Sequence, residues 1–195
     1  SQENSYFQRV LNADSESDNW LLHGRTYDES RFSPLKDIND SNVQDLGLAW
    51  SFETGTNRGH ETTPIVVDGM MFISAPWSVV FALDPKTGEK LWSFDPQADK
   101  AWARNACCDV VNRGVAVWED QVIFATIDGR LISLNKNSGE VNWDVLTIDK
   151  SKPYTITGAP RIIDGKIIIG NGGGEYGVRG YISAYDVQDG SMLWR

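Results

Sequence analysis

Three tryptophans fall at positions 92, 143 and 194, a spacing of 51 residues both times, and each closes the same pattern. The segments Phe81–Trp92, Ile132–Trp143 and Ser183–Trp194 align without a gap. Each begins with an apolar run that ends in Asp or Asn, turns at a Gly in the eighth place, and finishes on Trp. An internal repeat of about 50 residues excludes most folds, because each repeat must be one supersecondary unit stacked on its neighbours. Within the first repeat, Pro64–Val67 leads through Asp68-Gly69 into Met70–Ile73, then a loop leads to Val79–Leu83 and a Lys86-Thr87-Gly88 turn to Glu89–Trp92. Asp-Gly between apolar runs is a strong hairpin signal, and it recurs at Asp164-Gly165. Four short antiparallel strands per repeat make the chain all-β, a β-propeller with about three blades. Leu46–Phe52, with Trp50, reads as the last strand of a preceding, partial blade. Three blades do not close a ring, so the chain reads as a portion of a single, longer propeller domain.

Composition sets the class of partner. With 41% hydrophobic and 23% charged residues the chain is a folded, soluble type, and its net charge of -9 gives no basic footprint for nucleic acid. No apolar run is long enough to span a membrane, and no leader pattern is present. Ser1–Asn4 reads as the start of a processed chain. The only cysteines, Cys107 and Cys108, are adjacent, and His23 and His60 do not complete a zinc site with them.

The repeats differ at two places. Between the second and third strands the first two repeats need seven positions (Ile73 to Val80, Phe124 to Leu131) and the third needs thirteen (Ile169 to Ile182). The extra residues lie in Gly170–Gly180, which contains Gly172-Gly173-Gly174-Glu175. The second insertion lies between blades: Trp92 to Glu119 is 27 positions and Trp143 to Asp164 is 21, and the added stretch holds Cys107-Cys108. Strands alternate in direction within a blade. The loop between the second and third strands therefore opens on the same face as the connection into the next first strand. Glu61 and Thr157, each just before a first strand, end on that face too. Unusual loops on a regular scaffold mark a site.

Taken singly these residues are ordinary. Consecutive glycines let backbone N–H groups approach a flat or anionic ligand, and Glu175 offers a hard oxygen suited to Ca²⁺, yet a solvated loop has the same composition. Arg113 carries a fork that pairs with carboxylates, the commonest such partner being a surface salt bridge. If Cys107 and Cys108 were oxidised to each other, the Cα atoms would be about 3.8 Å apart across a trans peptide, below the usual disulfide range. Such a ring is strained and flat.

Together the two loops are specific. Cys107-Cys108-Asp109-Val110-Val111-Asn112-Arg113-Gly114 and Gly173-Gly174-Glu175-Tyr176-Gly177-Val178-Arg179-Gly180-Tyr181 resemble the signature loops of pyrroloquinoline-quinone (PQQ) dependent alcohol dehydrogenases, and the blade-ending tryptophans resemble that family's docking motif. The resemblance runs from about Trp20 to Arg195. It implies an eight-bladed propeller with PQQ and Ca²⁺ on its axis. Glu61, Arg113, Thr157 and the backbone of Gly172, Gly173 and Gly174 would contact PQQ. Cys107 and Cys108 would form a vicinal disulfide stacked on the quinone, and Glu175 would be a metal ligand. Relatives often carry Ser or Ala where this chain has Asn171–Gly174. The catalytic Asp base, which abstracts the alcohol proton as hydride passes to the quinone C5, is expected beyond residue 195. So is the aspartate that decides between calcium and a lanthanide, and any haem c domain.

The resemblance further implies a periplasmic enzyme that oxidises primary, ethanol-like alcohols and passes electrons to a cytochrome c-type acceptor. Two other readings share parts of the pattern. Outer-membrane assembly scaffolds have the tryptophan-ended repeats but neither the adjacent cysteines nor the Gly-Gly-Gly-Glu loop. Quinoproteins acting on sugars or polyols typically carry an amino-terminal membrane anchor.

Overall fold

A computed structural model describes residues 5–195; the reading of Ser1–Asn4 as a processed terminus lies outside them. Twelve strands form three four-stranded antiparallel sheets, each with its strands in chain order. Blade 1 contains β1 (Ile65–Val67), β2 (Met70–Ala75), β3 (Val79–Leu83) and β4 (Lys90–Phe94). Blade 2 contains β5 (Ala116–Trp118), β6 (Gln121–Ala125), β7 (Arg130–Asn135) and β8 (Val141–Leu146). Blade 3 contains β9 (Arg161–Ile163), β10 (Lys166–Gly170), β11 (Ile182–Asp186) and β12 (Met192–Trp194). The first two strands of blades 1 and 3 meet at two-residue turns in which both residues have positive φ: Asp68 at 53° with Gly69 at 77°, and Asp164 at 47° with Gly165 at 71°. That backbone matches the twist of the strands it joins.

Blade 2 is the middle layer, and every residue of β5 and β6 is buried. The repeating tryptophan explains how blades stack. Trp92 donates its indole N–H to the carbonyl of Lys136 in the next blade at 2.9 Å, and Trp143 does the same to Val187 at 3.1 Å. Each ring lies on a glycine of that turn. A Cβ on Gly139 would meet Trp92 at 2.8 Å, and one on Gly190 would meet Trp143 at 2.8 Å. Both glycines also have positive φ, so the eighth residue of the repeat is fixed twice, by backbone conformation and by the ring above it.

Trp50 follows the same rule, donating to Pro85 at 3.1 Å and covering Gly88. Its segment is not paired as a strand, because no ladder partner lies beside it among the described residues. Earlier residues form an arm. A short helix α1 (Tyr6–Leu11) precedes Trp20, which pairs antiparallel with Val66 on the free edge of β1. The arm then crosses to blade 3, where Glu29 pairs with Arg161 at 2.6 Å. No helix among the described residues is long and apolar enough to cross a membrane.

Candidate functional site

The segments that enter β1, β5 and β9 run side by side. Thr63 N donates to the Arg113 carbonyl at 3.2 Å, and Arg113 N donates to the Thr157 carbonyl at 2.9 Å. This backbone relay brings three side chains from three blades together. Arg113 Nη2 lies 2.8 Å from Glu61 Oε2, and Arg113 Nη1 donates to Thr157 Oγ1 at 2.6 Å. Both Arg113 and Glu61 remain 42% exposed, so the fork keeps donors on its open side.

The insertion before β5 is built around Asp128. This buried carboxylate, in the turn between β6 and β7, accepts the Asp99 N–H at 3.2 Å and the Thr126 hydroxyl at 2.5 Å. Burial opposes its ionisation. The Thr126 and Asp99 hydrogen bonds, with Arg130 and Lys150 nearby, bring its pKa below the ordinary value all the same. Trp102 anchors the next turn by donating to the Tyr154 carbonyl at 2.6 Å. Asn112 is buried and donates to Ser78 Oγ at 3.2 Å and to the Ala125 carbonyl at 2.9 Å. Between these anchors the chain exposes Cys107 and Cys108, with their sulfurs 2.6 Å apart. The two sulfurs are thus placed side by side, as the vicinal disulfide implied by the resemblance requires.

The Gly-rich loop arrives from blade 3. Thr155 and Gly172 pair through backbone hydrogen bonds of 2.7 and 3.3 Å, which ties the loop to the residues before β9. Gly173, at φ 117°, could not carry a side chain: its Cβ would fall 2.6 Å from the Pro153 carbonyl oxygen. Gly174 has open space where its Cβ would be and begins a 3-10 turn, Gly174–Tyr176. That turn puts the Glu175 carboxylate beside the Cys107 thiol. For Cys107 as a thiol, the hydrogen bond to Cys108, then desolvation, then the Glu175 carboxylate push its pKa up to about 11.

All the residues singled out from the sequence thus lie on one face, in two linked groups. Glu61, Arg113 and Thr157 form one; Cys107, Cys108 and Glu175 form the other, joined to the first through Gly172 and Thr155. Sequence reasoning missed His23. It lines an open cavity of ≈ 540 Å³ with Arg113, Thr157 and Arg161, and its Nε2 is 3.1 Å from Thr63 Oγ1. Burial and then Arg161 lower its pKa, and its buried Nδ1 has no partner among the described residues. Nothing local signals this role, since His23 sits in the arm, outside the repeat.

No three His, Cys, Asp or Glu side chains among the described residues gather in a way that would hold a metal. Glu175 is one hard oxygen donor at the mouth of the site. The donor set suits a planar, polyanionic ligand: a guanidinium fork, a hydroxyl, glycine backbone and an exposed sulfur pair.

Residues 20–195 match the family described as PQQ: Glucose/ethanol/alcohol dehydrogenase, beta-propeller domain. The chain is 54% identical over 188 residues to quinohemoprotein alcohol dehydrogenase ADH-IIG of Pseudomonas putida, covering 96% of this chain and 26% of that protein. The solved structure of ADH-IIG superposes with a TM-score of 0.92 over 94% of this chain and 27% of that one, at 53% identity. Identity to the 1-butanol dehydrogenase (cytochrome c) of Thauera butanivorans is 54% over 168 residues, 86% of this chain and 24% of that protein. A europium-containing methanol dehydrogenase superposes with a TM-score of 0.90 at 39% identity, covering 95% of this chain and 33% of that one. The chain therefore spans about a quarter of the length of the curated relatives it matches. It belongs to the family of PQQ-binding β-propeller domains found in glucose, ethanol and alcohol dehydrogenases.

Proposed function

We propose that this chain is the PQQ-holding part of an enzyme that oxidises primary alcohols to aldehydes, works in the periplasm, and hands electrons to a cytochrome c-type acceptor. The observation that carries the reading is the meeting of Arg113, Glu61 and Thr157 beside the cysteine pair and Glu175. The names of the relatives support alcohols as substrates, and one names cytochrome c. Bound PQQ would accept the alcohol's hydride, while a cation at the site would act as a Lewis acid.

The chain's own residues bind and orient. Arg113 supplies a bidentate donor for PQQ oxygens, held in place by Glu61 and Thr157. Glu61 also offsets the charge of Arg113, so that the site is not a simple sink for any anion. The Gly172–Gly174 backbone lets N–H groups approach the ring edge. Glu175 would supply one ligand to the metal, calcium or a lanthanide, with its other ligands outside residues 1–195. Cys107 and Cys108, once oxidised to each other in that compartment, would present a rigid face to the quinone. No residue of this chain is assigned the role of general base.

The test is a dye-linked turnover assay of the full-length protein, reconstituted with PQQ and Ca²⁺ and offered ethanol, 1-butanol and glucose. Turnover of the two alcohols above glucose supports the reading. Activity on glucose alone, or none with PQQ present, overturns it.

A further inference from the structure

A second cluster touches the cysteine segment without belonging to the site just described. Asp109 follows Cys108 directly and is left-handed, at φ 70°. Its carboxylate is ion-paired with the guanidinium of Arg58, 51 residues earlier in the chain. Arg58 Cζ stands 5.6 Å from the centre of the Trp77 ring, and Lys100 Nζ stands 3.9 Å from the same ring. Lys100 opens the turn that leads into the cysteines and Asp109 leads out of them. Trp77 therefore ties both ends of the loop together.

Trp77 and its neighbour Ser78 are themselves left-handed, at φ 66° and 62°. A bulky residue adopts that conformation only where its surroundings hold it there. Here Trp77 N donates to the Val110 carbonyl at 2.9 Å, and the ring packs on Ala98, Val110 and Ile127. The Arg58–Asp109 pair is half exposed, so it adds little to global stability. Three strained non-glycine residues around one loop are not explained by stability, and strain of this kind gathers where geometry matters.

We propose that Arg58, Trp77 and Asp109 form a latch that positions the Cys107–Cys108 segment against the bound quinone. These are positioning residues, acting through the cysteine pair. The proposal rests on the PQQ reading of the site and adds a contact set that reading does not require.

The test is a double-mutant cycle on the full-length protein, with PQQ affinity measured by calorimetry in Ca²⁺ for wild type, Arg58→Gln, Asp109→Asn and the double variant. Each single change is expected to weaken PQQ binding about tenfold, the size typical of removing an outer-shell partner. The double variant should bind no more weakly than either single one. The melting temperature of the PQQ-free protein should move by no more than about 2 °C, and the swap Arg58→Asp with Asp109→Arg should recover much of the affinity. Wild-type affinity in both single variants, additive losses, or a large fall in melting temperature would each overturn the latch while leaving the PQQ site intact. A wild-type protein that does not bind PQQ would overturn the site and the latch together.

Discussion

Arg113 and Thr157, 44 residues apart in sequence, are joined twice: backbone N to carbonyl at 2.9 Å, and guanidinium Nη1 to hydroxyl at 2.6 Å. The backbone link survives a side-chain change, so the role of the fork can be read separately from the fold. Arg113→Lys keeps the charge and loses bidentate geometry. It is expected to weaken PQQ binding by the full-length protein about tenfold, which is about 1.4 kcal/mol. Thr157→Val should cost less, and the two losses should not add, because they remove one shared hydrogen bond. Undiminished binding by Arg113→Lys would take Arg113 out of the site.

The tryptophan docking predicts a stability effect with no direct effect on the site. Trp143→Ala removes a ring packed on the next blade and should destabilise the protein by about 3 kcal/mol. Gly190→Ala places a Cβ 2.8 Å from that ring at a φ of 72° and should destabilise it as well. Denaturant midpoints of the full-length variants check both. A neutral Gly190→Ala would show that the turn moves freely under the ring.

Asp128 gives a pH dependence of known sign. Its pKa in the folded protein is lowered, burial being outweighed by Thr126, Asp99, Arg130 and Lys150. A lowered folded pKa means that its stabilisation is present above the unfolded pKa of about 3.9 and is lost as pH falls through the folded value. Asp128→Asn should therefore destabilise most near neutral pH, by about 1–3 kcal/mol for a buried partner lost, and the difference from wild type should shrink in acid. Stability curves that stay parallel down to acid pH would contradict this.

Joining Cys107 to Cys108 closes almost no loop, so the entropic stabilisation of a long-range disulfide is absent. Mild reduction of the full-length protein followed by verified alkylation of both thiols is expected to reduce dye-linked alcohol oxidation and leave the melting temperature nearly unchanged. Full activity after alkylation would refute a functional role, and a large fall in melting temperature would show a structural one.

The parts that were legible in the sequence are those that repeat. Trp92, Trp143 and Trp194 fix the blade period, Asp68-Gly69 and Asp164-Gly165 mark hairpins, and misaligned spacings expose the two inserted loops. Strand alternation then puts Glu61, Thr157 and both loops on one face. What could not be read depends on single residues meeting across space. The strand expected at Trp50 lacks a ladder partner among the described residues, and a strand is defined by its partner. Asp128, Trp77 and His23 have no local pattern: each gains its role from an element far away in the chain. Whether Cys107 and Cys108 are joined is likewise a matter of redox conditions and not of residue type.

Under the function proposed above, the Glu175 turn and the Arg113 cluster are two halves of one metal-assisted PQQ site. The most direct measurement is a calorimetric titration of the full-length, metal-free protein with PQQ, with and without Ca²⁺, for wild type and Glu175→Gln. Saturable binding is expected that Ca²⁺ tightens in wild type and tightens far less in Glu175→Gln, with the Ca²⁺-free affinities of the two proteins alike. Absence of PQQ binding, or an equal gain from Ca²⁺ in both proteins, would contradict it.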